Sequence, residues 1–159
     1  MLAILESNEP NYIATFERHY EHSVDDVWAM LTENDKLQTW FSELKVDELR
    51  KGGRLLFDMG NGNFEEMIIT DYSDHAVFEY TWGDDKVRFE LTPEQNGAKL
   101  LLIETITKLT DHTPRDLAGW HVCLDIIGVL LDGKQVDDRK KLWEPLYEQY
   151  VQAIASLTK

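Results

Sequence analysis

The chain has 159 residues, is 43% hydrophobic and 11% aromatic, and carries a net charge of −14 from 30 acidic and 16 basic side chains. That length suits one domain, residues 1–159, with a core large enough to need no disulfide or metal staple. The acidic balance argues against a nucleic-acid partner, which would need a basic face, and against anionic membrane surfaces.

The opening Met1-Leu-Ala-Ile-Leu5 is apolar but short, with no basic region and no small-residue cleavage site, so it is not expected to be a signal peptide. Tyr12 to Glu21 alternates loosely and predicts a first strand. Ser23 then caps a helix in which Val24, Val27, Trp28 and Leu31 form the apolar stripe, with Asp26 completing a capping box. A second short helix, about Asp35 to Trp40, runs into Trp40-Phe41.

Strands follow. Leu44–Leu49 is weak, Gly52-Gly53 turns the chain, and Arg54–Met59 leads through Gly60-Asn-Gly-Asn63 into Phe64–Tyr72. Val77–Trp82 sets Phe78, Tyr80 and Trp82 on one face. Val87, Phe89 and Leu91 alternate with polar residues beyond Gly83-Asp84-Asp85, and Lys99–Lys108 closes the series after a turn at Pro93–Gly97. Short turns between consecutive strands imply an antiparallel meander. Thr113 is expected to cap the next helix, with Pro114 at its first position.

From Leu117 to Asp132 that helix is apolar nearly all round, so it must be covered on more than one side. Its polar or small positions, His121, Asp125, Gly128 and Asp132, form one stripe, expected to face solvent because a carboxylate is costly in an apolar cavity. Gly119 is expected to permit a close backbone approach beside the packing anchors Trp82 and Trp120. A final amphipathic helix spans about Arg139–Leu157, with Trp143, Leu146, Tyr147, Tyr150, Ile154 and Leu157 on one face. The predicted layout is β-α-α-β6-α plus one terminal helix, hence α+β.

Several of these segments together resemble a known family. They are the strand entering Ser23-Val-Asp-Asp-Val-Trp28, then Trp40-Phe41, Arg50-Lys-Gly-Gly53, Phe78-Glu-Tyr-Thr-Trp82, and Gly119-Trp120 opening the buried helix. The chain resembles bacterial homologues of the activator of the heat-shock-protein-90 ATPase, in the START-like (SRPBCC) superfamily, over residues 12–132. The resemblance implies a helix-grip fold, a curved antiparallel sheet of six to seven strands around a long C-terminal helix. Two short helices follow the first strand, and residues 139–157 add a further helix. It also implies an apolar cavity of the kind superfamily members use for lipids, sterols, polyketides or phenolics, some of them as cyclases or aromatases. A chaperone partner is not expected, because the eukaryotic activator engages the chaperone through an additional N-terminal domain.

No Gly-x-Ser-x-Gly, Walker or His-Glu-x-x-His motif occurs, so no catalytic residue is assigned. The five histidines, at 19, 22, 75, 112 and 121, lack ligand spacing, and neither a metal nor another cofactor is expected. The single cysteine, Cys123, lies on the apolar side of the buried helix as a small hydrophobe. With no second cysteine to pair with and no apolar run of membrane length, a soluble cytoplasmic protein is expected.

Cavity candidates follow from parity and aromaticity. Trp40, Phe41, Phe57, Phe78, Tyr80, Phe89 and Trp120 either line a pocket or fill the core. Leu124 and Ile127, midway along the buried helix, are better placed. Arg18 and Glu104 share strand parity with apolar residues, so either they face the interior as polar anchors or strand twist or an edge position returns them to solvent. The leading expectation is a protein that binds a small hydrophobic molecule, apolar or aromatic. The alternatives are a cyclase-, aromatase- or hydrolase-type enzyme using the same cavity, or a chaperone-associated or dimerising interaction module exposing Trp143, Tyr147 and Tyr150. The final helix either covers the pocket or builds a homodimer interface, and both readings stay open.

Overall fold

The computed structural model describes residues 1–158. Eight antiparallel strands form one sheet in the order β1-β2-β8-β7-β6-β5-β4-β3. They are β1 (Ile4–Asn8), β2 (Asn11–Tyr20), β3 (Leu44–Glu48), β4 (Arg54–Gly60), β5 (Asn63–Ser73), β6 (Val77–Trp82), β7 (Asp85–Glu94) and β8 (Gly97–Ile106). Strands β3 to β8 are the expected meander, and β2 joins its last member through the pair Phe16–Leu102. Helices α1 (Val24–Thr32) and α2 (Asn34–Trp40) carry the chain from β2 to the opposite edge, and α3 (Thr113–Leu131) and α4 (Arg139–Leu157) follow the sheet.

The sheet thus has one strand more than the six or seven expected. The extra one, β1, is an edge strand exposed along most of its length, so no hydrophobic alternation marks it. Register shifts interrupt the pairing at Val46/Glu48, Asp58/Gly60 and Ile69/Asp71. Such bulges bend a strand, and these all lie in the β3–β6 half, where the sheet curves around its contents.

One face of the sheet supplies the core: Ala14 and Phe16 from β2, Leu100 and Leu102 from β8, Val87 and Phe89 from β7, Phe78 and Tyr80 from β6. Against it pack Trp28 of α1, Leu37 and Trp40 of α2, and most of α3. Ser23 Oγ accepts the Asp26 N–H to start α1, as its sequence predicts. Thr113 does not cap α3. It is the first helical residue, and its hydroxyl instead accepts the Thr110 N–H, tightening the approach to the helix. Tyr20 crosses the far end of α3 and donates to the Leu124 carbonyl at 2.7 Å. Gly128 makes that crossing feasible, since a Cβ there would stand 3.1 Å from the Tyr20 ring. No helix of the described residues is long and apolar enough to cross a membrane.

Candidate functional site

The first three turns of α3, with the residue before them, set His112, Arg115, Asp116, Gly119, Trp120 and Cys123 at i, i+3, i+4, i+7, i+8 and i+11, one face of a helix. This face looks toward the end of α2 and the start of α4. Together with Trp40, Phe41, Trp82, Arg139 and Trp143 it bounds a recess of about 580 Å³ open to solvent. A second recess of about 410 Å³ lies between the β4–β5 hairpin and the end of β8, lined by Phe57, Met59, Met67 and Ile106. Trp82, His112 and Asp116 border both.

Phe41 stands between the two recesses. Its ring lies 5.8 Å from Trp120, 5.7 Å from Trp82 and 5.9 Å from Phe57, edge-on or tilted in each case. Trp82 and Trp120 are 5.0 Å apart. These are favourable aromatic geometries, so the walls are rigid as well as apolar. Gly119 is not a site of close approach: a Cβ built there meets nothing within 4 Å. Its missing side chain opens the recess.

Polar groups are few and specifically placed. Trp82 Nε1 donates to Asp116 Oδ1 at 2.9 Å. Arg139 donates to the Trp40 carbonyl at 3.1 Å and to Cys123 Sγ at 3.3 Å, fastening the start of α4 to α2 and α3. Burial pushes the Cys123 thiol up to about 11, against the pull of Arg139, so it stays a thiol. Trp120 Nε1 is buried with no partner among the described residues.

Glu104 is fully buried on β8, facing the interior, and neither carboxyl oxygen accepts a hydrogen bond. Burial first, and then the neighbouring Asp116 and Asp85 carboxylates, push its carboxyl well above the usual range. Asp116 is a carboxyl group within bonding reach, so a hydrogen bond between the two needs one proton held by the pair.

The sequence candidates separate in space. Trp40, Phe41 and Trp120 line the larger recess and Phe57 the smaller. Phe78, Tyr80, Phe89, Leu124 and Ile127 are packed core that borders neither. Glu104 lies beneath Asp116. Arg18 lies apart, on the far side of α3, where its Nε donates to Asp125 at 3.0 Å.

That contact belongs to a second polar cluster, and it corrects the expected solvent stripe at one position: Asp125 and Asp132 are exposed as expected, but His121 is not. His121 is 5% exposed, covered by Phe16 and Tyr150. Tyr150, fully buried and hence no part of an exposed patch, accepts the Ala3 N–H at 3.0 Å and meets His121 Nδ1 at 2.8 Å. The other ring nitrogen, Nε2, lies 3.2 Å from Asp125 Oδ2. Burial works to raise the Asp125 carboxyl, but His121 and Arg18 prevail and hold it below the ordinary range. The cluster binds α4 and the N-terminal segment to α3. Tyr150→Phe is expected to cost about 1–3 kcal/mol, by orphaning the buried Ala3 N–H and stranding His121, seen as a lower urea midpoint at unchanged slope.

Arg115, Asp116, Gly119, Cys123, Arg139 and Trp143 were not among the sequence candidates. Helical spacing from His112 to Cys123 marks the α3 members as one face. Nothing local links them to Arg139 and Trp143, which arrive with α4.

Residues 21–132 match the family model described as "Activator of Hsp90 ATPase homolog 1-like protein". No curated protein matches the chain. Among solved structures, the chain is similar to a conserved protein of unknown function, EF2215 from Enterococcus faecalis. That match has 24% identity over 98% of this chain and 91% of the other, with a TM-score of 0.88. CalU16 from Micromonospora echinospora is 21% identical over 99% and 98% of the two chains, TM-score 0.69. MLL2253 from Mesorhizobium loti is 19% identical over 78% and 99%, TM-score 0.67. At these identities the likeness is one of fold.

Proposed function

Because the chain belongs to the Activator of Hsp90 ATPase homolog 1-like family, whose fold commonly holds ligands between sheet and helix, we propose that it binds a small aromatic or apolar molecule in the recess beside Gly119. The observation that carries this reading is the recess itself: about 580 Å³ of open space walled by Trp40, Phe41, Trp82, Trp120 and Trp143. Small-molecule sites are of this size and character, largely apolar with a few fixed polar groups. The unpartnered Trp120 Nε1 is a donor that a ligand acceptor could satisfy. The final helix acts here as a wall, through Arg139 and Trp143, and its later turns are spent on α3 and β1.

The test is a titration with N-phenyl-1-naphthylamine, a neutral arene that fluoresces when it leaves water. Wild type is expected to bind it, and Gly119→Leu to weaken binding about tenfold by filling the space, which corresponds to about 1.4 kcal/mol. Leucine is a better helix former than glycine by nearly 1 kcal/mol, so the variant should melt no lower than wild type. Absence of binding to wild type, or equal binding to both, refutes the recess as the site.

One observation favours an enzyme as the second reading. Asp116 faces both recesses with Glu104 behind it, an arrangement that could hold a proton for transfer. Native mass spectrometry of protein from its own host would supply a retained molecule. Its conversion by wild type, and not by an Asp116→Asn variant that still binds it, would select this reading.

A further inference from the structure

The recess carries an unusual distribution of charge. The chain has six arginines. Four are matched to carboxylates: Arg18 to Asp125, Arg50 to Glu48, Arg54 to Asp47 and Glu66, and Arg88 to Asp71, Glu79 and Glu90. The remaining two, Arg115 and Arg139, have no carboxylate within 4.0 Å among the described residues, and both line the larger recess.

In a chain with 30 acidic side chains, lack of supply does not explain this. Asp116 and Glu43 line the same recess but are engaged elsewhere, Asp116 by Trp82 Nε1 and Glu43 by the Ser42 hydroxyl. Arg139 spends two donors on the Trp40 carbonyl and Cys123 Sγ and keeps three N–H groups free of protein acceptors. Arg115 lies over the Tyr147 ring, 5.1 Å from its centroid, and its guanidinium donates to no protein acceptor among the described residues. A guanidinium held by a ring face rather than a carboxylate keeps its fork available for a planar anion.

We infer that the ligand of this recess is an aromatic anion, its ring seated among Trp40, Trp82, Trp120 and Trp143 and its acidic group, of carboxylate type, met by Arg115 and Arg139. This rests on the recess being the binding site and adds the charge of what it binds. The global field opposes such a ligand, since a net charge of −14 repels anions at range. Selectivity for an anion must therefore come from local groups, which makes the sign of the preference diagnostic.

The experiment displaces N-phenyl-1-naphthylamine with either of two near-isosteres, 1-naphthoate and its neutral amide 1-naphthamide. Naphthoate is expected to compete about tenfold better, in keeping with hydrogen bonds to a charged group. Arg115→Gln should erase most of that preference, read as the ratio of naphthoate to naphthamide displacement within the variant itself. Arg139→Gln should do likewise; should its loosened α4 prevent folding, Arg115→Gln decides alone. If naphthamide competes as well as naphthoate, or if the preference survives loss of Arg115, the inference fails while the recess stands. If the neutral probe does not bind at all, it is the recess that fails.

Discussion

Trp120→Ala is expected to destabilise the protein by about 3–5 kcal/mol, the upper range for truncating a buried aromatic. Trp120 is 2% exposed. Its ring touches Trp82 at 5.0 Å, Phe41 at 5.8 Å and Phe89 at 6.0 Å, so it joins the helix to two strands and to the end of α2. Removing it opens a hole at the one point where sheet, α2 and α3 meet. The neighbouring rings cannot close over the gap without leaving their mutual edge-on geometry. Because Nε1 has no partner among the described residues, the loss is one of packing, with no hydrogen bond to subtract.

Leu124→Ala and Ile127→Ala provide the comparison. Their place midway along the buried helix makes these residues cavity candidates, which would make truncation mild. Both are instead fully packed, at 1% and 0% exposure, and border neither recess. They should fall within the ordinary core range of about 2–5 kcal/mol and leave binding of N-phenyl-1-naphthylamine unchanged. Urea melts and probe titrations of the three variants check this. A Trp120→Ala cost below that of both aliphatic truncations would show that the ring is a lining and not an anchor.

The difference between these positions shows what could be read in the chain and what could not. Phe78, Tyr80 and Trp82 alternate with polar residues, and that period alone places them on the inner face of β6. The final helix has the bounds its pattern predicts, Arg139–Leu157. By contrast, β1 is exposed nearly throughout and offers no pattern to read. The His121–Asp125 stripe looks solvent-facing in isolation because it is polar. Asp125 does stay exposed, paired with Arg18 from 107 residues away, but His121 is covered by Tyr150, 29 residues on. The site depends on the same kind of information. Its α3 face is periodic, but that Arg115 and Arg139 lack carboxylate partners is a property of the folded surface, in which every other arginine has found one. Local period reports which face of an element is buried, and not what meets it there.

Glu104→Gln is expected to stabilise the protein at neutral pH, by a margin that grows with pH. Glu104 faces the same interior as Leu102 and Ile106, is wholly buried, and feels the charges of the Asp116 and Asp85 carboxylates. Its folded-state carboxyl is raised above the ordinary value of 4.5, chiefly by burial. The sign follows from linkage. Between the unfolded and the folded pKa the native state holds a proton that the unfolded state has released. Stability from this group is complete below about 4.5 and declines as pH rises toward the folded value. The decline approaches about 1.4 kcal/mol per pH unit for one proton. Glutamine keeps the shape, donates to Asp116 without needing a proton, and has no charge to bury. Wild type and variant should therefore be close in stability near pH 4 and separate progressively above it, with the variant ahead. Asp71 and Asp125 have lowered pKa values and act with the opposite sign at acid pH, but they are common to both proteins and cancel in the difference. Chemical denaturation at half-unit steps from pH 4 to 8 gives the curve directly. A constant difference would mean that folding takes up no proton at Glu104, and a variant weaker at every pH would mean that the carboxylate is stabilised by a contact that glutamine cannot make. If the variant is ahead, stability does not explain a carboxyl at this place, and its position behind Asp116, the one carboxylate shared by both recesses, connects the cost to the site.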